Sequence, residues 1–352
     1  MRDPSLPLLV IYTGGTLGMV QTPVGLAPGA DFEGRLRRAI AGLPPRQQAA
    51  LAEFDMLSAE PPIDSSAVMP VNWQWLAGVI AERYRRYAGI VVLHGTDTLA
   101  WTASSLAYQL QGIDCPVVLT GAMRPLESPN SDALTNIEAA LRFAALPELQ
   151  EVALCFAGRL MRGVRSSKWR SQAVDAFASP NYPLLGQSVD HSAILFPERG
   201  LQHHQRGLAR FTLPDYASLP GSAVVRIPLW PGIEAWQLEA WLGDGRVRGA
   251  LLEIWGRGNV PDDPALLGVI AQACGEGKLV AAISQCPHDG IAIGEYAAGQ
   301  PLGETGVLAG DDMTPEAAWT KLYHLLAQPL EESERRRRFL TPAVGERHTP
   351  AP

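Results

Sequence analysis

The sequence predicts an α/β fold, and its residue pattern and its composition both support that prediction. Short apolar runs closed by glycine alternate with longer segments in which apolar residues recur with a helical period. This alternation is typical of parallel strands joined by crossover helices. The composition agrees, because 47% of the residues are hydrophobic and 18% are charged, as in an ordinary globular enzyme.

The first part of the chain is predicted to form a mostly parallel sheet flanked by helices. Its apolar runs indicate buried strands, and the helical-period segments between them indicate helices. The predicted strands are residues 8–12, 89–93, 117–120 and 152–156, and the predicted helices are residues 72–83, 98–111 and 131–144. We expect these elements to form an N-terminal catalytic domain of residues 1–195.

A second, smaller α/β domain is predicted at residues 222–352. The chain becomes irregular beyond Asn181, where prolines and glycines accumulate, and residues 196–221 are interpreted as a linker. Strand and helix patterns then resume at residues 223–228, 233–242, 249–255, 263–274, 278–284 and 315–327. A chain of 352 residues is long enough for two such cores, and residues 341–352 are predicted to be a loose tail.

Charge and apolar runs exclude several classes of partner. The formal net charge is -7 at pH 7, so no broad positive field is expected and nucleic acid is not an expected partner. The basic run of residues 335–338 is interpreted as a solvated helix end rather than a targeting signal. No apolar run approaches the roughly 20 residues of a membrane helix, so no membrane partner is expected.

Cysteine usage favours a reducing compartment. The four cysteines are widely separated and contain no Cys-x-x-Cys pair, so neither a zinc site nor a disulfide framework is predicted. They are Cys115, Cys155, Cys274 and Cys286. The N-terminus lacks the features of a signal peptide, and a cytoplasmic location is therefore expected.

A glycine-rich loop, Thr13-Gly14-Gly15-Thr16, directly follows the first predicted strand. Ligands of parallel α/β sheets bind at the loops that follow the carboxyl ends of strands. Two glycines there allow a tight turn and bring backbone N–H groups close to an anion or an oxyanion. A simple tight turn or a phosphate-binding turn explains the same residues, so this loop alone does not identify a site.

A second polar cluster, residues 94–98, follows the strand at 89–93 and opens a helix. It is therefore predicted to lie at the same sheet edge as the glycine-rich loop. Thr96 and Asp97 offer a hydroxyl and a carboxylate to one small polar ligand, although Asp97 or Thr98 also suits a helix N-cap.

Two other groups of residues are open to either interpretation. Asp64-Ser65-Ser66 offers an acid and two hydroxyls, but a capping or turn role fits equally well. Lys168 stands in a polar loop, where a lone lysine is usually solvated.

Together these segments resemble the bacterial-type L-asparaginase family, whose paired signatures match residues 13–18 and 89–99. The resemblance also covers residues 64–66, 118–121, 162–163, 167–168, 175–181, 256–259, 312–314 and 320–322, which is nearly the whole chain. Without a signal peptide, and with Asp-Ser-Ser at residues 64–66, the sequence is similar to the type I, cytoplasmic branch.

The resemblance implies a two-step acyl transfer. A threonine hydroxyl attacks the side-chain amide of L-asparagine, ammonia leaves, and water hydrolyses the ester. Thr13 matches the nucleophile, while Thr96, Asp97 and Lys168 match a second catalytic triad. The substrate-binding residues that it implies are Asp64, Ser65, Ser66, Thr96 and Asp97. No metal or cofactor is implied, and a homodimer or homotetramer is expected.

The sequence departs from the family pattern in the loop after the nucleophile. Many members carry a tyrosine there, but this chain has Leu26, which cannot relay a proton. Relatives of the mammalian kind use a tyrosine of the C-terminal domain instead, and Tyr296 is the matching candidate here. A role for Tyr296 as a half-buried packing residue is equally compatible with the sequence.

The resemblance also bears on regulation. Type I enzymes of enterobacterial kind carry an allosteric asparagine site that includes an arginine, and Glu253 stands at that position here. Asn259 and Cys286 lie in matching segments. Because an acid repels a substrate carboxylate, weak or absent cooperativity is predicted.

Four other functions stay open at this stage. The nearest is a glutaminase or mixed asparaginase-glutaminase, since one methylene is discriminated by only about 1 to 3 kcal/mol. A catalytically weak amino-acid sensor is compatible with the missing loop tyrosine. An amidotransferase subunit acting on misacylated tRNA and a lysophospholipase are less favoured, because neither a basic surface nor ankyrin repeats are present.

Overall fold

The computed structural model describes residues 5–293 and 300–348. The chain divides into two compact units, Met1–Leu213 and Pro214–Pro352. The division falls within residues 196–221, the segment that the sequence analysis interprets as a linker. Both units combine strands and helices, so the predicted α/β fold is confirmed.

The first unit is built around an eight-stranded mixed sheet. Its elements are β1 (Leu8–Tyr12), β2 (Met19–Thr22), β3 (Gly25–Pro28), α1 (Phe32–Ala41), α2 (Pro45–Ala49), β4 (Phe54–Ser58), α3 (Pro70–Arg83), β5 (Ile90–Leu93), α4 (Leu99–Gln109), β6 (Val117–Thr120), α5 (Ala133–Ala144), β7 (Val152–Phe156), β8 (Arg159–Arg162), β9 (Ser167–Lys168), β10 (Phe177–Ala178), β11 (Gly186–Val189) and β12 (Ser192–Leu195). The strand order is β12-β11-β8-β7-β6-β5-β1-β4.

The connectivity of this sheet places a topological switch point beside β1, where a binding crevice is expected. Strand β1 pairs in parallel with β4 on one side and with β5 on the other. The chain therefore leaves β1 towards one side of the sheet and returns on the opposite side. Ligands of open α/β sheets bind at such a switch point, outside the carboxyl ends of the strands. The loops that follow β1 and β5 open at this point.

The predicted strands of this unit are close to the observed ones because each is a continuous buried apolar run. The helix predicted at 72–83 begins at Pro70 in the structure, because proline is tolerated in the first turn of a helix. Strand β4 was missed because its side chains are only partly buried and do not form an apolar run. The hairpin of β2 and β3 was missed for the same reason.

The second unit contains a four-stranded parallel sheet in the order β13-β14-β15-β16. Its elements are β13 (Val224–Pro228), α6 (Ala235–Leu242), β14 (Gly249–Ile254), α7 (Pro264–Gly275), β15 (Leu279–Ser284), α8 (Gln300–Glu304), β16 (Leu308–Ala309), α9 (Pro315–Leu326) and α10 (Glu332–Leu340). The basic run lies in α10, where Arg337 and Arg338 pair with Glu334 of the same helix. The interpretation as a solvated helix end holds for Arg337 and Arg338, which are exposed, whereas Arg335 and Arg336 are half-buried and donate to the carbonyls of Gln328 and Gly306.

The prediction of a loose tail is wrong for residues 341–348. Glu346 is fully buried and accepts hydrogen bonds from the backbone N–H groups of Ala343 and Val344. Its carboxylate also pairs with the buried ammonium of Lys321. Arg347 pairs with Asp311. The segment is polar in sequence, but its charges are paired inside the protein rather than solvated.

Removing the charge of Lys321 is expected to destabilise the second unit. Its Nζ donates to the carbonyls of Phe339 at 2.9 Å and Thr341 at 2.8 Å, besides the Glu346 carboxylate. In Lys321→Met the Glu346 carboxylate stays buried without its counter-charge, and such losses typically cost about 3 to 5 kcal/mol of unfolding free energy. Urea unfolding followed by circular dichroism measures this. A matched substitution of the exposed pair, Arg338→Met, is expected to cost much less; equal costs would contradict the prediction.

No helix within residues 5–293 and 300–348 is long and apolar enough to cross a membrane.

Candidate active site

Thr13 follows β1 directly and is only 2% exposed. Its N–H donates to the Leu93 carbonyl at 2.9 Å, and its Oγ1 donates to the same carbonyl at 3.0 Å. Its own carbonyl accepts from the Ile63 N–H at 2.6 Å. Thr13 is therefore fixed between the end of β5 and the segment that precedes residues 64–66.

The glycines of this loop allow three segments to approach closely. Gly14 and Gly15 have φ values of 129° and 95°, which side chains rarely tolerate. A Cβ on Gly14 would lie 2.5 Å from the Ile63 carbonyl oxygen, and one on Gly15 would lie 2.4 Å from the Gly95 Cα. The glycines thus serve a tight turn and also bring the Thr13 loop against the loop that follows β5.

Thr96, Asp97 and Lys168 form one hydrogen-bonded cluster at this crevice. Lys168 Nζ donates to Thr96 Oγ1 at 2.9 Å and to Asp97 Oδ1 at 2.7 Å. Thr96 is buried, whereas the Asp97 side chain is 61% exposed and that of Lys168 is 20% exposed. An exposed carboxylate beside a buried hydroxyl can bind a cationic group of a ligand while the cluster keeps its own hydrogen bonds.

Strand β9 holds Lys168 in place. It pairs antiparallel with β10, and Lys168 lies opposite Phe177. Phe177 is buried and its ring packs on Phe156 with the centroids 4.8 Å apart. Lys168 is therefore not the solvated loop lysine that its sequence context alone would indicate.

Ser65 is the buried member of the Asp64-Ser65-Ser66 cluster. A Cβ on Gly95 would lie 2.4 Å from Ser65 Oγ, and the Ser65 carbonyl accepts from Thr98 Oγ1 at 2.8 Å. Asp64 is exposed and caps a short 3₁₀ turn by accepting from the Ser66 N–H at 2.9 Å. The structure thus places Ser65 next to the second loop and gives Asp64 the capping role that the sequence left open. Ser66 is exposed, and a substrate-binding role for any of the three stays a prediction.

The activating partner of Thr13 is not identified by its contacts. Within residues 5–293 and 300–348, the Thr13 hydroxyl is hydrogen-bonded only to the Leu93 carbonyl. Leu26 lies on β3 opposite Gln21, and its aliphatic side chain is 48% exposed. Tyr296, the predicted substitute for a loop tyrosine, lies outside the described residues.

Glu253, at the position predicted to weaken allosteric binding, is buried in β14 and paired with Arg226 of β13. Its charge is therefore largely compensated, and repulsion of a carboxylate is weaker than the sequence alone suggests. Arg226 is also committed to Glu253. Cys286 is exposed, and Asn259 exchanges backbone hydrogen bonds with Trp255.

His94 and Thr102 are buried polar residues to which the sequence analysis assigned no role. His94 Nδ1 lies 2.7 Å from the Gly95 carbonyl oxygen and Nε2 lies 3.1 Å from Thr102 Oγ1. The sequence indication of a functional role was that His94 stands beside the Thr96 loop. A buried histidine is, however, more often a packing residue. No group of three or more His, Cys, Asp or Glu side chains suited to a metal ion occurs in the described part of the chain.

Comparison with known proteins places this chain in a family. The family profile "Asparaginase, N-terminal" matches residues 7–199, and the profile "Glutaminase/Asparaginase C-terminal domain" matches residues 223–339. The chain is 35% identical over 333 residues to L-asparaginase 1 of Escherichia coli K12, which covers 92% of this chain and 93% of that protein. It is also 33% identical over 365 residues to the human 60 kDa lysophospholipase, covering 99% of this chain but 62% of that protein.

A solved structure agrees with the sequence matches. The crystal structure of L-asparaginase I from Vibrio cholerae superposes with a TM-score of 0.87 at 33% identity, covering 99% of this chain and all of that chain. Family profiles over both units, a relative of nearly equal length and the common fold all support one assignment. The chain belongs to the asparaginase family.

Proposed function

We propose that this protein hydrolyses L-asparagine to L-aspartate and ammonia through an ester on Thr13. The observation that carries the proposal is the contact of Lys168 Nζ with both Thr96 Oγ1 and Asp97 Oδ1, in the loop that packs against the Thr13 loop. Three polar groups from two distant parts of the chain converge at the switch point of the sheet, beside a buried hydroxyl.

In the first step, Thr13 Oγ1 bonds to the side-chain amide carbon of asparagine. The carbon–nitrogen bond then breaks, and the hydroxyl proton leaves with the amide nitrogen as ammonia. A threonine hydroxyl is a poor nucleophile at neutral pH, so a base or an oriented hydrogen-bond chain must take its proton. Thr13 must also turn away from the Leu93 carbonyl to attack, because its proton now points there. We propose Tyr296 as the group that orients it.

In the second step, water adds to the ester carbon and the bond from that carbon to Thr13 Oγ1 breaks. Aspartate leaves, and a proton of the water returns to the Thr13 oxygen. Lys168 donates to Thr96 Oγ1, so the proton of Thr96 itself points away from Lys168. The Thr96 hydroxyl can then bind and orient the attacking water. Lys168 and Asp97 act on the reaction by holding Thr96 in this orientation.

Binding uses charge complementarity at the crevice. The exposed Asp97 carboxylate suits the α-ammonium group of the substrate, and the Ser65 hydroxyl with nearby backbone N–H groups suits its α-carboxylate. Asp64 and Ser66 complete the proposed substrate-binding residues at the rim of the same loop. None of these contacts requires a cofactor.

Initial rates of ammonia release from L-asparagine and L-glutamine test this function. An asparaginase is expected to prefer asparagine by about 10- to 200-fold in kcat/KM, which is the discrimination that one methylene allows. Similar rates on both amides would favour a mixed asparaginase-glutaminase, an alternative that the name of the C-terminal family profile also suggests. Binding of asparagine without ammonia release would indicate a sensor.

We further propose that the protein is a homo-oligomer of the cytoplasm. Trp236 and Trp241 of α6 are 63% and 41% exposed, and exposed large apolar side chains often mark protein interfaces. All four cysteines are free thiols, as expected in a reducing compartment. Light scattering after size-exclusion chromatography measures the oligomer size.

Rates are expected to follow a hyperbolic dependence on asparagine concentration. Glu253 stands where the resemblance implies an arginine, and it is paired with Arg226, so neither of these two side chains offers a free cation to a carboxylate effector. The rate curve of the purified protein measures this. A sigmoidal curve that becomes hyperbolic in Cys286→Ala would contradict the prediction.

A further inference from the structure

A chain of hydrogen bonds runs from Trp73 in α3 to the peptide that precedes Thr96. Trp73 Nε1 donates to Thr102 Oγ1 at 2.9 Å, and Thr102 Oγ1 lies 3.1 Å from His94 Nε2. His94 Nδ1 lies 2.7 Å from the Gly95 carbonyl oxygen. Trp73, Thr102 and His94 are buried, so these contacts are shielded from water.

Donor and acceptor chemistry determines which group donates in each of these hydrogen bonds. A carbonyl oxygen only accepts, so His94 Nδ1 carries a proton and donates to Gly95. Burial lowers the pKa of His94, which keeps the ring neutral near pH 7 and leaves Nε2 as an acceptor. The indole N–H of Trp73 only donates, so Thr102 accepts from it and donates its own proton to His94. Each bond in such a series polarises the next.

This series of hydrogen bonds ends at the Gly95 carbonyl, which belongs to the same peptide unit as the Thr96 N–H. A trans peptide holds its C=O and N–H in opposite directions, so fixing the Gly95 oxygen also fixes the direction of the Thr96 N–H. This N–H donates to no acceptor among residues 5–293 and 300–348, although Thr96 is buried. A buried N–H without a partner is rare, and a ligand atom is one way to satisfy it.

Local packing also encloses the residues on which this peptide is built. The Gly95 Cα lies against Ser65 and Gly15, because a Cβ there would approach Ser65 Oγ to 2.4 Å and the Gly15 Cα to 3.2 Å. The carbonyl of His94 is likewise held, since a Cβ on Gly121 would lie 2.3 Å from it. Within this close packing, the contact with His94 Nδ1 sets the direction of the Gly95 carbonyl.

We propose that His94 is a positioning residue that aims and polarises the Thr96 N–H towards the oxyanion formed when Thr13 attacks the substrate. The inference rests on the proposed asparaginase function. His94 does not contact the reacting atoms; it acts through the Gly95–Thr96 peptide, and Thr102 and Trp73 hold it in the donor tautomer. Its effect is therefore expected on kcat and not on the binding of the ground state.

His94→Leu removes the donor and His94→Asn keeps one near the position of Nδ1. In His94→Leu we expect kcat for asparagine to fall about 10- to 100-fold, somewhat less than the loss of an oxyanion donor outright. KM and the calorimetric Kd for the product L-aspartate are expected to stay close to wild type. His94→Asn is expected to recover most of the lost kcat, which a purely packing role would not produce.

Two further variants separate positioning from folding. Thr102→Val removes the hydroxyl between Trp73 and His94 and leaves His94 in place. It is expected to lower kcat several-fold at unchanged KM. This variant therefore tests the positioning role even if His94→Leu does not fold. His324→Leu is the matched control, since His324 is also a buried histidine but lies in the second unit. It is expected to leave kcat within about twofold in the folded fraction.

The outcomes distinguish this inference from the function on which it rests. If the wild-type protein releases no ammonia from asparagine or glutamine, the proposed function fails. If it does so, but Thr102→Val and the two His94 variants keep wild-type kcat, or raise KM at constant kcat, the positioning role is wrong and the function stands.

Discussion

Thr13→Ala is expected to lower kcat for ammonia release from asparagine by about 10⁴-fold or more, as for other nucleophiles that act with a catalytic unit. The substitution removes the only atom proposed to bond to the substrate carbon. The fold should be retained, because the Thr13 N–H keeps its bond to the Leu93 carbonyl at 2.9 Å. A neutral buried hydrogen bond such as that of Oγ1 contributes only about 1 kcal/mol.

Two matched variants control this experiment. Thr13→Ser keeps a hydroxyl at the same position and is expected to retain part of the activity. Thr16→Ala changes a threonine of the same loop that has no proposed role, and its kcat is expected to stay near wild type. Ammonia release by Thr13→Ala within tenfold of wild type would rule out Thr13 as the nucleophile.

Measurements on the wild type and on Thr13→Ala also distinguish an enzyme from a sensor. Mass spectrometry of wild-type protein quenched during turnover should show an aspartyl ester on the peptide that contains Thr13. A sensor would bind asparagine equally well in the wild type and in Thr13→Ala, with no ester and no ammonia in either.

The central strands and two of the site loops were predictable because both depend on local pattern. Continuous apolar runs predict buried parallel strands, and polar residues directly after two such strands predict a common edge of the sheet. Thr13 and the Thr96-Asp97 pair were found in this way. The structure adds that the two loops are neighbours, because β1 and β5 pair directly.

Lys168 could not be assigned from its own sequence context. Its strand β9 has only two residues, too few to show any period, and its contact with Asp97 joins residues 71 positions apart. Only the resemblance to a family indicated its role. Composition alone would have left it as a solvated lysine, although its side chain is only 20% exposed.

The segment at 341–348 shows the same kind of error. Its polar residues suggested a loose tail, but Glu346 is buried against Lys321, 25 positions earlier in the chain. Composition indicates whether charges are present but not whether they are paired. A buried ion pair between distant residues has no periodic pattern, so the sequence could not predict this anchor.

Lys168→Met is expected to lower kcat by about 10²- to 10⁴-fold, the range typical of groups that assist proton transfer. Methionine keeps the length and much of the volume of the side chain but loses both hydrogen bonds of Nζ. Thr96 Oγ1 then loses its donor at 2.9 Å, so its hydroxyl is free to rotate away from the attacking water. Asp97 loses its cation at 2.7 Å, and a moderate change in KM follows from altered binding of the substrate ammonium.

The kinetics of the first turnover identify the step on which Lys168 acts. If Lys168 acts mainly through Thr96 on water attack, Lys168→Met should release a rapid burst of about one ammonia per active site, followed by slow turnover. If it acts on the attack by Thr13, no burst should appear. Lys278→Met is a suitable control, because Lys278 donates to the Asp244 carbonyl in the second unit and has no proposed role. Unchanged kcat in Lys168→Met would contradict the role of the Lys168 contacts in catalysis, and the proposed function would then depend on Thr13 alone.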